Sequence, residues 1–333
     1  MKSIGIGLPV RNGEKYLEAA LASCLNQSSP PDEILVLINN SSDRSHEIAN
    51  RGGDKIRIVE RNTAVSIGDA WNEVFKNARS DYIVMLHQDD ILDENAIACF
   101  RGKIESRPSV EYVIGLTSII NENGVKIGHF ITPEMLASLE QDYLKSVLGD
   151  ILICCSGICA HRKTMILNPY RTDLKIILDI EFFIRAGWAL THETISQNVA
   201  SFRKHSKSTY HSDTGEVMSR DLAHWWSLFE SRKSGVPLSL EKEYGRKILK
   251  MCSRDFLKSL KHNNRNIGLR WVKFFFDSSL LKHARVLHAV SVPCEVLLWI
   301  AAIPGFGFPL SRFLLKIIEI CAVARRHCSP KVL

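Results

Sequence analysis

The sequence predicts an α/β fold with a doubly wound, mixed sheet and a mostly α-helical C-terminal extension. Apolar runs typical of buried strands alternate with amphipathic helical segments up to about residue 90. One such run, residues 83–86, ends abruptly in the polar segment His87-Gln88-Asp89-Asp90. From about Asp221 onward the pattern becomes mostly helical and increasingly basic. These three observations separate an α/β part from a helical part.

The first elements follow one another as strand, helix and strand. A strand is predicted over Ile4–Val10 and a helix over residues 13–27, where apolar side chains recur at helical spacing. Residues 33–38 form a continuous apolar run, typical of a parallel strand buried on both faces. The segment Ser41-Ser42-Asp43 then offers N-caps for a helix through Ala49.

The alternation continues with a strand over residues 56–60, a helix over Ile67–Asn77 and a strand over residues 82–86. This order predicts parallel strands joined by right-handed crossovers. Gly5 and Gly7 lie inside the first strand and not in a strand-to-helix turn, which disfavours a dinucleotide-binding site.

Beyond Asp90 the pattern is mixed. Strands are predicted over Tyr112–Ile120 and from the turn at residues 121–124 through Phe130, and residues 151–161 have a β-like apolar pattern. Residues 178–190 are predicted to be helical, with Asp179 at the start.

Charge is distributed unevenly along the chain. Residues 1–231 carry a net charge of −6 and residues 232–333 a net charge of +13. The basic part suits a nucleic acid or an anionic membrane face. The nine cysteines form no CxxC pair, which indicates reduced thiols in a cytoplasmic protein. The N-terminus runs directly into a strand pattern, so we expect no signal peptide.

Asp89 and Asp90 follow a buried strand directly. In open α/β sheets ligands bind at the carboxyl ends of the strands. Carboxylate oxygens there suit a Mg²⁺ or Mn²⁺ ion that carries a diphosphate. The alternative is that these residues cap the next helix, predicted over residues 94–103.

Four motifs occur in a recognisable order: Pro9-Val10-Arg11-Asn12, Asn39-Asn40-Ser41-Ser42-Asp43, His87-Gln88-Asp89-Asp90, and Asp179 ahead of Arg185. Over roughly its first 215 residues the chain resembles the family 2 glycosyltransferases, which have the Rossmann-like GT-A fold. The resemblance implies a nucleotide-sugar-binding catalytic domain over residues 1–215. Residues 216–333 would form the basic, helical C-terminal region.

The resemblance also implies roles for individual residues. Asp179 would be the general base of an inverting reaction, and Asp89 would hold a divalent cation, Mn²⁺ or Mg²⁺. Asn39 would face the base of the donor and His87 would lie near its ribose. The donor-binding residues implied are Pro9, Val10, Arg11, Asn12, Asn39, Ser41, Ser66, Gly68, Asn72, His87, Gln88, Arg203 and His205.

This chain departs from the family pattern at three positions. Ile38 stands where many relatives carry Asp, Asn39 where they often carry a base-reading Asp, and His87 at the first Asp of the metal motif. The nucleotide of the donor therefore stays open, with a UDP-sugar favoured. The implied roles of these residues have structural alternatives. Asp179 would then be only the N-cap of its helix, and Asn39 only an ordinary turn residue.

Residues 283–324 contain two apolar segments separated by a Pro/Gly block, and neither reaches the roughly 20 residues that span a bilayer. The pattern fits interfacial helices on a membrane, and it equally fits helices that pack on the catalytic domain or form a dimer interface. The positive charge of this region favours an anionic membrane surface.

The resemblance to family 2, taken with these features, implies a metal-dependent, inverting glycosyltransferase. It would transfer sugar from a nucleoside diphosphate sugar to a glycan or polyprenyl-linked saccharide in bacterial surface polysaccharide synthesis. We expect a cytoplasmic protein, peripheral to the inner face of the membrane, with no nucleic-acid partner. The alternatives are a nucleotidyltransferase and a non-catalytic nucleotide-sugar or nucleic-acid binding protein with a degenerate site.

Overall fold

The computed structural model describes residues 1–149, 151–187, 189–206 and 216–230, together with residues 244, 247, 248 and 251. The chain divides into two compact units, Met1–Asp213 and Thr214–Leu333. The catalytic domain predicted over residues 1–215 and the basic, helical region predicted over residues 216–333 stay predictions.

The described part of the first unit contains one sheet of nine strands. The strands are β1 Ile4–Val10, β2 Glu33–Asn39, β3 Arg57–Arg61, β4 Tyr82–Met85, β5 Ile91–Leu92, β6 Tyr112–Ile120, β7 Lys126–Ile131, β8 Ile158–His161 and β9 His192–Arg203. The helices are α1 Leu17–Leu25, α2 Ser45–Asn50, α3 Ile67–Asn77, α4 Ala96–Ser106, α5 Pro133–Gln141, α6 Tyr143–Leu148, α7 Arg162–Leu167 and α8 Leu178–Gly187, with short 3₁₀ turns at Gly53–Lys55 and Cys155–Gly157.

The strand order confirms the predicted doubly wound, mixed sheet. Strands β3, β2, β1 and β4 are parallel neighbours in that order. The chain winds outward from β1 to β3 and then returns to the other side of β1 at β4, which creates a topological switch point between β1 and β4. Crevices at such points bind ligands in open α/β sheets.

The remaining strands extend the sheet beyond β4. Strand β8 is antiparallel to both β4 and β6, and β9 is parallel to β6. The carboxyl ends of β1, β2, β4, β6 and β9 therefore meet at one edge of the sheet. This edge carries the segment at residues 87–90 and the segment that begins with Arg203.

Burial explains why the first strands form as predicted. The side chains of Ile4, Ile6 and Leu8 in β1 and of Val36 and Ile38 in β2 are fully buried in one core cluster. A strand covered on both faces needs apolar residues at successive positions, and that is the pattern the sequence carries.

Several predicted bounds are wrong. The helix predicted over residues 13–27 extends only over Leu17–Leu25, because Gly13 to Tyr16 form a turn in which Tyr16 and Leu17 N–H donate to Gly13 O. The helix predicted over residues 94–103 is Ala96–Ser106. Only Ile158–His161 of the β-like segment 151–161 is a strand.

The described part of the second unit includes helix α9, Glu216–Glu230. Trp225 and Trp226 are buried, and Trp225 Nε1 donates to the Tyr244 hydroxyl at 2.6 Å. These tryptophans thus pack as core residues. Among the described residues no helix is long and apolar enough to cross a membrane. The apolar segments predicted at residues 283–324 lie outside the described residues.

Candidate active site

The loop after β1 is fixed by side chains from the loop after β2. Asn12 has a left-handed backbone, with φ of 52°. Its N–H donates to Ser41 Oγ at 3.0 Å, and its side-chain oxygen accepts from Ser42 N–H at 2.8 Å. Upstream of this loop, the Val10 side chain is buried in the core, and Pro9 is partly buried. The loops after β1 and β2 are therefore hydrogen-bonded to each other.

Asp90 is a buried carboxyl with two fixed partners. Its side chain is 0 % exposed; it accepts from Ser156 Oγ at 2.5 Å and from Arg203 N–H at 2.8 Å. Burial, followed by repulsion from Asp89, raises the pKa of Asp90 well above its usual range. Asp90 thus ties the end of β4 to β9 and is poorly placed to act as a cation ligand.

Asp89 is the accessible carboxylate of the pair. Its side chain is 24 % exposed, and its Oδ2 lies 2.7 Å from His205 Nε2. Arg203 Nε donates to Asp89 O at 2.8 Å, which fixes the backbone at this position. Arg203 and His205, two of the implied donor-binding residues, therefore contact the predicted metal ligand directly.

The residues at this edge fit a divalent cation that is bound together with a nucleotide. Asp89 supplies a hard oxygen, and the imidazole nitrogen beside it is His205 Nε2, at 2.7 Å. Among the described residues no three His, Cys, Asp or Glu side chains converge to form a metal site made by protein alone. Mg²⁺ at nucleotide sites takes one or two carboxylates and completes its shell with phosphates and water, so one or two protein ligands suffice.

His87 lies in an aromatic cluster on the α3 side of the sheet. Its ring stacks on Trp71 at 4.8 Å, and Trp71 meets Tyr170 edge-on at 5.0 Å. Burial lowers the pKa of His87, although the charge of Asp89 opposes this shift. Its buried Nε2 has no hydrogen-bond partner. A neutral imidazole with an unused nitrogen is therefore available at the start of the acidic segment.

Asp179 lies partly buried in the first turn of α8. Burial raises the pKa of its carboxyl to about 6, against the opposing effect of hydrogen bonds from the Ile180 and Asp179 backbone N–H groups. Burial and the charges of both Asp90 and Asp179 raise the pKa of the Cys154 thiol. Asp90 and Asp179 thus both act electrostatically on Cys154.

The other predicted donor-binding residues shape the backbone. Ser66 caps α3 by accepting from Asp69 N–H at 3.1 Å. A Cβ at Gly68 would lie 2.7 Å from Arg171 O, so the glycine permits close approach of the segment before α8. The side-chain amides of Asn39, Asn72 and Gln88 bind the backbone of Val65, Tyr170 and Arg11.

Sequence reasoning missed Ser156, Trp71 and Tyr170. Ser156 is a lone hydroxyl in an otherwise apolar stretch, and a buried hydroxyl requires a partner, so the sequence carried a weak signal. Trp71 lies three residues after Gly68 and thus near it on the surface of α3. No local feature of Tyr170 predicts its contact with α3.

The sequence profile of glycosyl transferase family 2 matches residues 6–167. This stretch runs from β1 to α7 and includes Asp89 and Asp90. Residues 6–167 belong to glycosyl transferase family 2. The remaining described residues of the first unit, with Asp179 in α8 and His205 after β9, lie outside the matched stretch of this family 2 domain.

Curated relatives carry glycosyltransferase names. An uncharacterized glycosyltransferase of Haemophilus influenzae is 36% identical over 95 residues, which are 28% of this chain and 38% of that protein. The UDP-Glc:alpha-D-GlcNAc-diphosphoundecaprenol beta-1,3-glucosyltransferase WfgD of Escherichia coli is 25% identical over 168 residues, 50% of this chain and 62% of that protein. The chain spans less than two thirds of the length of either relative.

Solved structures share the fold. The crystal structure of S. aureus TarS 1-349 in complex with UDP-GlcNAc has a TM-score of 0.54 and 15% identity, over 81% of this chain and 89% of that one. This likeness confirms the predicted GT-A fold of the family 2 domain.

Proposed function

We propose that this glycosyltransferase transfers a sugar from a nucleoside diphosphate donor to a hydroxyl group of a saccharide, with inversion at the anomeric carbon. The observation that carries the proposal is the accessible carboxylate of Asp89 beyond the carboxyl end of β4, with Arg203 and His205 bound to the same residue. Asp179, in the first turn of α8, has the raised pKa expected of a general base.

The proposed reaction is a single in-line displacement. The acceptor oxygen forms a bond to the anomeric carbon while the bond from that carbon to the diphosphate oxygen breaks. The hydroxyl proton passes to Asp179, whose pKa of about 6 leaves it ionised at neutral pH and basic enough to accept a proton. The nucleoside diphosphate leaves with the electron pair of the broken bond.

Asp89 and His205 are the residues that would hold a divalent cation. When bound, such a cation neutralises charge on the diphosphate leaving group. Arg203 holds the backbone of Asp89 in place, and Lys204 is exposed beside it. His87 Nε2, which has no hydrogen-bond partner, is suited to form a hydrogen bond with a hydroxyl group of the ribose or sugar.

The donor and acceptor are proposed from the relatives. TarS, which shares the fold, was crystallised with UDP-GlcNAc, and this favours a UDP-sugar donor. WfgD is named for transfer to a diphosphoundecaprenol-linked saccharide, which favours a lipid-linked saccharide acceptor. An acceptor of this kind also agrees with the net charge of +13 over residues 232–333, which suits the anionic inner face of a membrane.

A panel of nucleotide sugars tests the proposal. The intact protein is incubated with each donor, a lipid-linked saccharide and Mg²⁺ or Mn²⁺, and nucleoside diphosphate release is followed along with the anomeric configuration of the product. Metal-dependent release from one donor with an inverted product is expected. A retained configuration would overturn the single-displacement mechanism. Donor binding without release with any acceptor would favour a non-catalytic nucleotide-sugar binding protein, and no binding of any donor would favour the nucleic-acid binding alternative.

A further inference from the structure

Three side-chain amides around the site share one arrangement. Asn39 Nδ2 donates to Val65 O at 3.1 Å, and Asn39 Oδ1 accepts from Val65 N–H at 2.9 Å. The amide thus binds both backbone groups of a single residue, 26 positions further along the chain. We call this arrangement a backbone clamp.

The same clamp recurs at two other loops. Asn72 Nδ2 donates to Tyr170 O at 2.8 Å, and Asn72 Oδ1 accepts from Tyr170 N–H at 2.9 Å. Gln88 Nε2 donates to Arg11 O at 3.2 Å, and Gln88 Oε1 accepts from Arg11 N–H at 2.7 Å. The three clamped residues lie after β1, before α3 and before α8. Each of these loops contains, or is bound by, a residue that the resemblance implies in donor binding.

A clamp of this kind requires an amide. The backbone N–H only donates and the backbone C=O only accepts, so the partner must present one acceptor and one donor side by side. A carboxylate accepts from the N–H but repels the carbonyl oxygen. The orientation of each amide is therefore dictated by its backbone partner, and Asn to Asp is a disruptive change although the two side chains have the same shape.

Asn39 is the residue for which the resemblance to family 2 implies a contact with the donor's base. Its side chain is buried, at 4 % exposed, and both of its polar atoms are bonded to Val65. Asn40 adds a second tie, because its N–H donates to Arg61 O at 3.1 Å and its φ is 51°. Both polar atoms of the Asn39 amide are thus used to bind Val65. Together with the Asn40 bond they hold residues 61–65 against the end of β2.

From this geometry we infer that Asn39 is a positioning residue that pre-forms the donor pocket through Val65 and does not read the base. Asn72 and Gln88 act in the same way on the loops at Tyr170 and Arg11. As far as it concerns the donor, the inference rests on the proposed function. It predicts that selectivity for the nucleotide comes from groups other than the Asn39 amide.

Amide hydrogen exchange on the protein without ligand tests the clamp itself. Asn39→Asp and the uncharged Asn39→Ala are expected to speed exchange of the Val65 N–H about tenfold or more while exchange in α4 stays unchanged. Asn77→Asp is the matched control, because Asn77 Nδ2 also donates to a backbone oxygen, Glu73 O, but lies exposed at the end of α3. Unchanged exchange at Val65 in both Asn39 variants would overturn the inference.

Titration calorimetry with UDP and GDP, at a temperature where each variant is folded, tests the consequence for recognition. If Asn39 positions the loop, both Asn39 variants lower the affinities for UDP and for GDP by the same factor, about tenfold. The ratio of the two affinities then stays unchanged. If Asn39 reads the base, the ratio changes, and Asn39→Asp retains or improves UDP binding because a carboxylate accepts the uracil N–H. A residue with a merely structural role would lower Tm without changing nucleotide affinity. Failure of the native protein to bind any nucleotide would count against the proposed function, while hydrogen exchange would still decide the clamp.

Discussion

Asp179 is the residue whose chemistry is most directly measurable. Its carboxyl has a pKa raised to about 6 by burial, and a general base must be ionised to act. We expect kcat/KM to be level at neutral pH and to fall about tenfold per pH unit below about pH 6. Initial rates measured across this range with the identified donor check the prediction. A rate that stays level down to about pH 4.5 would contradict it.

Arg203 is predicted to be essential for the stability of the site. It is 5 % exposed, and its guanidinium donates to Asp89 O at 2.8 Å, Glu122 O at 3.1 Å and Asn121 O at 3.2 Å. Arg203→Met would remove the side-chain donor from three backbone carbonyls, two of which have no other donor among the described residues, and would leave the buried Asp90 carboxyl without its neighbouring cation. We expect the free energy of unfolding to fall by about 2–4 kcal/mol, as measured by urea denaturation.

The control for this measurement is Lys15→Met. Lys15 forms an ion pair with Glu122 at 2.9 Å, but its side chain is 58% exposed. Exposed pairs of this kind contribute little, so the urea midpoint should not change. Equal destabilisation by both substitutions would contradict the role assigned to Arg203.

The sequence predicted some site residues and not their partners, for a physical reason. Asp89 could be predicted because it belongs to the polar segment after a buried strand, and the structure places it four residues beyond the end of β4. Asp90 was predicted beside it, but its contact with Ser156 joins residues 66 positions apart. Likewise the clamps of Asn39 and Asn72 join residues 26 and 98 positions apart. Local patterns carry no information on such contacts.

At the scale of elements, the start of α3 sets the position of the segment before α8. A Cβ at Gly68 would meet the backbone oxygen of Arg171 at 2.7 Å, whereas a Cβ at Gly102 in α4 has nothing within 4 Å. Gly68→Ala is expected to destabilise the protein by about 1–3 kcal/mol through this overlap. Gly102→Ala should stabilise it by about 0.5–1 kcal/mol, because alanine favours the helix. Thermal unfolding of both variants checks the opposite signs, and a shift of Tm in the same direction would contradict the packing described.

Elements differ in how well their own sequence predicts them. Helix α3 was predicted with its observed bounds, because Ser66 caps it and its apolar residues fall on one face. Strand β9 was not predicted. Its residues 192–203, His-Glu-Thr-Ile-Ser-Gln-Asn-Val-Ala-Ser-Phe-Arg, include only four apolar side chains, and its pairing with β6 shifts register twice. Pairing with a distant strand stabilises such a segment more than its own propensity does.

At the scale of the whole molecule, the uneven charge is the feature to test. Residues 232–333 carry a net charge of +13 against −6 for the rest of the chain. We expect the intact protein to sediment with anionic phospholipid vesicles at about 0.05 M salt and to be released at about 0.5 M, because salt screens this attraction. Equal binding to vesicles of neutral lipid, or binding insensitive to salt, would contradict the proposed electrostatic contact.

The central claim is that Asp89 and Asp179 divide the reaction between them, Asp89 serving the donor diphosphate and Asp179 the acceptor. The most direct test compares Asp89→Asn and Asp179→Asn with the intact protein, measuring divalent-dependent UDP binding and donor turnover in parallel. We predict that Asp179→Asn binds UDP normally but turns over at least about a hundredfold more slowly, while Asp89→Asn loses the dependence of binding on the cation. Undiminished turnover by Asp179→Asn, or cation-dependent binding that survives in Asp89→Asn, would contradict it.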